Sequence, residues 1–266
     1  MQSATWAAAV ITIGVLVLIV GFVLVRGVPH LKPSLFALRY TSDNVSLMPA
    51  LISTVIMTAA ALIIAVPLGV FAAIYLAEYA RRGNRVVAVI RMTTETLSGI
   101  PSIVYGLFGG LFFVVALGWG YSVLAGAFTL SIMILPLVMR SSEEALNAVP
   151  DMYREGAFGL GAGKLRTVFR IVLPAAMRGI LAGVILAVGR IVGETAALIY
   201  TAGTVAQVPS NPLQSARTLS VHMYSLSSEG LHTDEGYATA VVLLVLVVVI
   251  NAVSARIAKR LGGGDK

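Results

Sequence analysis

Arg190 and Glu194 are the only charged residues between Arg178 and Arg217. An apolar helix starting near Arg178 carries Arg190 about 18 Å along its axis, close to the middle of a hydrocarbon core about 30 Å thick. A charge at that depth costs about 2.5–3.5 kcal/mol, so such groups face a cavity or a partner and mark a transport path. At positions i and i+4 the two side chains share a helix face and can pair with each other. The guanidinium offers a planar fork of donors to an oxyanion, while a carboxylate accepts only from an anion that still carries a proton. Hydrogen phosphate meets both conditions and sulfate does not. An acid beside the arginine also keeps the anion well shallow enough for release. Arg190, Glu194 and the adjacent Thr195 are therefore the candidate substrate-path residues. A structural ion pair that fixes helix packing is the alternative.

A second constellation lies in the charged stretch 140–174. Glu155-Gly156-Ala157 is followed after three residues by Gly161 and after nine more by Ile171-x-Leu173-Pro174. Pro150 and Asp151 suit a first helical turn, and Gly161 with Gly163 can end that helix and turn the chain. The segment reads as helix, turn, helix, and its size suggests a docking surface. Gly159 to Lys164 imitates a phosphate-binding loop. However, Phe158 occupies the first glycine position of G-x4-G-K, Leu165 replaces the required Ser or Thr, and no hydrophobic strand precedes the loop. Nucleotide binding is not expected. With no cysteine and only His30, His222 and His232 as histidines, none at ligand spacing, no metal or other cofactor is expected either.

The elements that must position these residues are membrane helices. Of 266 residues, 58% are hydrophobic and 12% charged, which excludes an ordinary water-soluble enzyme. The apolar residues form long blocks that support six spans, at about 4–25, 47–77, 96–117, 121–139, 178–203 and 237–255. Pro67 should kink the second, and Gly118-Trp119-Gly120 should turn the chain between the third and fourth. Fourteen Lys and Arg residues fall in the segments after spans two, four and six: Arg81, Arg82, Arg85 and Arg91; Arg140, Arg154, Lys164, Arg166, Arg170 and Arg178; Arg256, Lys259, Arg260 and Lys266. Only Arg26, Lys32, Arg39 and Arg217 lie opposite. Both termini are thus expected in the cytoplasm, and the net charge of +7 reflects topology rather than nucleic-acid binding. The outer loop 204–236 carries Leu213, Ala216, Leu219, Met223 and Leu226 in amphipathic register, as for a helix lying on the membrane surface or touching an external partner. Gly106 with Gly110, Gly179 with Gly183 and Gly189 with Gly193 have the spacing that lets helices approach closely.

The spacing from Glu155 to Pro174 resembles the EAA loop of permease subunits of ABC importers, with Gly156 where that pattern prefers alanine. Ser98-Gly99-Ile100-Pro101-Ser102-Ile103-Val104-Tyr105-Gly106, together with Arg190-x-x-Gly193-Glu194-Thr195-Ala196, is similar to the PstA-type permeases of phosphate-specific importers. The resemblance implies an all-α type I importer permease fold, a single domain over 1–266, and no enzymatic activity of its own. It implies that Glu155, Gly156, Ala157 and Gly161 belong to a coupling helix facing an ABC ATPase dimer. The other implied partners are a homologous PstC-type permease and a periplasmic or lipid-anchored phosphate-binding protein, in a prokaryotic cytoplasmic membrane, with inorganic phosphate as cargo. A permease for molybdate, sulfate or an organic solute, and an ion-coupled secondary transporter using Arg190 and Glu194 as a relay, are the competing readings.

Overall fold

The computed structural model describes residues 2–81 and 83–261, with side chains over 5–81 and 83–256. Arg82 and Lys266, and the side chains of Lys259 and Arg260, counted above, lie outside the described residues. Among those described there is no strand. Five helical stretches are long and apolar enough to cross a membrane: Thr5–His30, Met48–Tyr79, Val123–Asn147, Lys164–Val192 and Thr233–Arg256. A sixth crossing would be a broken one.

That break is the first departure from a simple bundle. α3 (Arg85–Ser98), with Asn84 capping its first turn, is bent by 101° from α4 (Ser102–Gly109) and the wide turn Gly110–Ala116 that continues it. The expected span 96–117 is therefore not one helix. Pro101 has no amide to donate and pushes the preceding residue out of helical geometry, so the axis turns at Gly99–Pro101. Elsewhere the helices outrun the expected spans. α5 (Val123–Asn147), started by the Ser122 hydroxyl accepting from the Ala125 amide, carries Arg140, Glu143 and Glu144 on its last turns rather than in a loop. α2 (Met48–Ile74), extended by the wide turn Tyr75–Tyr79, passes through Pro67 without ending.

α2 and α5 form the central pair. Gly69 admits the Val138 side chain, and the Ser131 hydroxyl donates to the Ala61 carbonyl at 3.2 Å. One core cluster lies at mid-bundle around Met57, Leu130, Ile134, Ala187 and Leu198; a second, around Ile74, Leu146, Val168 and Val172, lies at one end. A third, around Leu35, Leu47 and Leu219, closes the opposite end. α8 (Leu173–Val192) packs on α5, where Gly179 and Gly183 face Ala145 and Ser141. Gly106 and Gly110 likewise meet Ala197 and Tyr200, so both pairs serve close packing. Gly189 and Gly193 do not: among the described residues no neighbouring helix comes within contact distance of the positions their Cβ atoms would occupy. α1 (Gln2–Gly27) packs at the periphery against α11 (Thr233–Leu261), with Phe22 edge-on to Tyr237.

Candidate functional site

The expected span 178–203 is interrupted where the chemistry sits. α8 ends at Val192, residues 193–195 are non-helical, and the chain resumes as α9 (Ala196–Ile199). Arg190 occupies the last turn of α8, and Glu194 lies in the break. The expected i, i+4 pair is absent, because the two residues no longer share a helix. Each instead belongs to a helix end: Arg190 is the basic residue of the last turn of α8, while Glu194 Oε1 accepts from the Ala197 amide of α9 at 3.0 Å. Glu194 is 7% exposed, and its backbone carbonyl accepts from the Ser220 hydroxyl at 2.6 Å. Thr195 is half-buried, and its hydroxyl reaches only the Gly193 carbonyl at 3.4 Å.

Arg190 is half-buried and makes no hydrogen bond or ion pair among the described residues, although it lies within electrostatic reach of Tyr105. Tyr105 is buried and donates to the Leu97 carbonyl at 2.8 Å, tying α4 to the end of α3 across the bend. Gly106 is what lets α4 come this close. A Cβ there would sit 2.7 Å from the Cα of Ala197. Two broken helices, α3/α4 and α8/α9, thus meet beside an arginine whose donors are free. Such breaks at membrane depth are tolerated where backbone lines a cavity or is buried in protein.

The four expected docking residues lie at the end occupied by α6 (Asp151–Gly159), and they divide. Glu155, Gly156 and Gly161 are exposed, while Ala157 is 6% exposed and faces inward. The motif fixes spacing but not facing, and Ala157 is the side of α6 that seats it on the bundle. Gly161, at φ +81°, makes the turn into α7 (Lys164–Thr167), which runs through the wide turn Val168–Val172 into α8. Met152, Phe158, Leu160 and Leu165 are exposed around this knob. That apolar rim needs a cover.

With this geometry in view, residues 65–263 match the family of binding-protein-dependent transport system inner membrane components. The chain belongs to this family. It is 38% identical over 206 residues to the probable ABC transporter permease protein YqgI of Bacillus subtilis, covering 71% of this chain and 70% of that one. It is 34% identical over 267 residues to the phosphate transport system permease protein PstA 2 of Mycobacterium bovis, covering 94% and 88%. Its fold is similar to that of a bacterial alginate ABC transporter solved with a pentasaccharide-bound periplasmic protein, with TM-score 0.66, 15% identity and 98% and 96% coverage. It is also similar to the inward-facing MetNI methionine ABC transporter, with TM-score 0.62, 19% identity and 81% and 94% coverage. This ABC permease subunit is a multi-pass membrane protein of all-α, type I importer fold.

Three features of this permease were not read from the sequence. Arg154, counted there only as a basic residue, is engaged at every nitrogen: Nε and Nη2 donate to Glu78 at 3.1 and 2.7 Å, Nη2 also to the Leu146 carbonyl, and Nη1 to Val149 and Asp151. The outer-loop helix is the second. α10 (Leu219–Glu229) has Leu219, Ser220, Val221 and His222 buried among its neighbours. Its preceding strand-like segment is held by backbone bonds from Ala216 to Ala202 and from Arg217 to Val205, which draw it into the bundle. The third is a buried cation. Arg217 is 6% exposed with its guanidinium 4.7 Å from the centre of the Tyr40 ring, and Tyr40 is edge-on to fully buried His222. Burial, then the adjacent Arg217 charge, push the His222 pKa down to about 3, and the nearby Val45 backbone offsets little of this. Single basic residues in an amphipathic loop carry no signal for such burial.

Proposed function

We propose that this chain is the membrane permease subunit of an ATP-driven inorganic phosphate importer, forming the translocation pathway with a homologous PstC-type permease. The observation that carries the reading is Arg190: a permanent cation, half-buried at the α8/α9 break, with no partner among the described residues. Two relatives named as phosphate permeases align over most of this chain, which supports phosphate as the cargo. Arg190 supplies the donor fork to the anion, and Thr195 adds a hydroxyl at the same break. Oε1 of Glu194 is committed to α9, but its second oxygen makes no hydrogen bond to the described residues and can accept the proton of hydrogen phosphate. Selection of phosphate over sulfate follows.

The α6 end faces the cytoplasm in this reading, as do both termini, since the basic residues concentrate there. Glu155, Gly156 and Gly161, with the apolar rim of Met152 and Leu160, receive an ABC ATPase dimer, while Ala157 anchors α6 from behind. A periplasmic or lipid-anchored phosphate-binding protein delivers the anion to the α10 end. ATP and the loaded binding protein each favour one conformation and so drive alternation between them. The test is ATP-dependent uptake of labelled phosphate by the assembled complex in vesicles. Arg190→Gln should assemble and fail to transport, and sulfate should compete poorly. Normal phosphate uptake by an intact Arg190→Gln complex would sink the path assignment.

A further inference from the structure

Arg154 and Glu78 are 16% and 7% exposed and join three elements at one end of the molecule: α6, the end of α5 and the last turn of the α2 helix. A buried pair stays favourable only when its remaining donors are satisfied, and here Leu146, Val149 and Asp151 satisfy them. Near the other end of the same α2, the Thr54 hydroxyl accepts from the Leu219 amide at 2.8 Å. It does so in place of α10's own N-cap, since Thr218 makes no capping bond. One residue further along, the Ser220 hydroxyl donates to the Glu194 carbonyl in the α8/α9 break. α2 is thereby fastened to the docking helix below and, through α10, to the Arg190 site above.

We propose that Arg154 is a positioning residue that acts through Glu78: the pair is a lower joint that carries displacement of α6 into α2, and Thr54 with Leu219 is the upper joint that carries it to α10 and the anion site. This rests on the reading of the chain as an ATP-driven importer subunit, but not on phosphate as its cargo. A displaced α6 cannot slip past α2 without leaving Glu78 buried and unpaired. Displaced α2 cannot leave α10 without exposing an orphan helix amide. Motion therefore passes as a body rather than dissipating in side chains.

The chain contains no cysteine, so a fluorophore can be placed at one site through Tyr224→Cys, an exposed position on α10. The measurement is the fluorescence change of the assembled complex on adding ATP with vanadate, beside ATP hydrolysis and retention of the ATPase subunits. Arg154→Met should keep the ATPase and its basal hydrolysis, while the α10 response falls about tenfold, within the range of ordinary coupling energies. Arg154→Lys, which keeps one charge but not the fork, should recover part of it. Thr54→Val, far from the docking surface, should weaken the α10 response with hydrolysis unchanged, and it decides the matter if Arg154→Met does not assemble. A full α10 response in Thr54→Val, or in an assembled Arg154→Met, would overturn the proposal. Failure of the unmodified complex to import phosphate would overturn the cargo assignment and leave this readout intact.

Discussion

Arg154 donates to two carboxylates and two carbonyls, whereas Arg190, in the last turn of α8, donates to nothing among the described residues. Both are partly or largely shielded from water. The difference lies in what each region of the molecule supplies: the α6 end surrounds its guanidinium with the carbonyl ends of α5 and the acid that closes α2, while the α8/α9 break directs its one nearby acid into capping α9. A cation whose donors are all used holds structure together. One whose donors are spare is available to something that arrives from outside.

The contrast predicts that stability and transport separate. Arg154→Met should destabilise the purified subunit by about 3–5 kcal/mol, because it leaves Glu78 buried and unpaired. Arg190→Met should leave its melting temperature within the usual range for a surface change and abolish uptake. Equal melting losses in the two variants would erase the distinction. A smaller effect tests the packing that frames the open site. Gly106→Ala forces a methyl against the Ala197 backbone and should cost about 1–3 kcal/mol, while Gly189→Ala on the bare strip beside Arg190 should be tolerated.

At the α10 end, His222 gives a pH signature. Its folded-state pKa, near 3, lies below the unfolded value of about 6.5, so the unfolded chain binds the extra proton between these limits. The contribution of the neutral ring is intact above about pH 6.5 and declines as pH falls toward 3, by about 1.4 kcal/mol per unit. Thermal melts from pH 7.5 to 4.5 should show that slope, and His222→Phe should flatten it. The smallest effect goes the other way. Gly156 has open space where a side chain would start, so Gly156→Ala should stabilise α6 by about 0.5–1 kcal/mol in a melt, without loss of ATPase retention.

Much of this was legible in the sequence. Uncharged runs of bilayer length announce themselves, and so did the spacing that places Glu155 and Gly161 on a solvent-facing knob. Arg190 and Glu194 stood out because no other charge lies between Arg178 and Arg217. What escaped was decided by three-dimensional partners. Gly193 inside a helical pattern is usually tolerated, so nothing announced that the helix would stop there and that Glu194 would cap α9. A proline can kink or start a helix, but its presence at 101 carries no angle, here 101°. The inward facing of Ala157 escaped because motif spacing is blind to facing. The burial of α10 escaped because Thr54, which receives its first amide, lies elsewhere in the chain.

That last bond spans 165 positions of sequence. During synthesis α2 leaves the ribosome long before Leu219 exists, so α10 must find a site already standing in the bilayer. Its docking is consequently a late event in maturation, and a truncated product lacking the final hundred residues or so would leave the Thr54 hydroxyl with no Leu219 amide to receive.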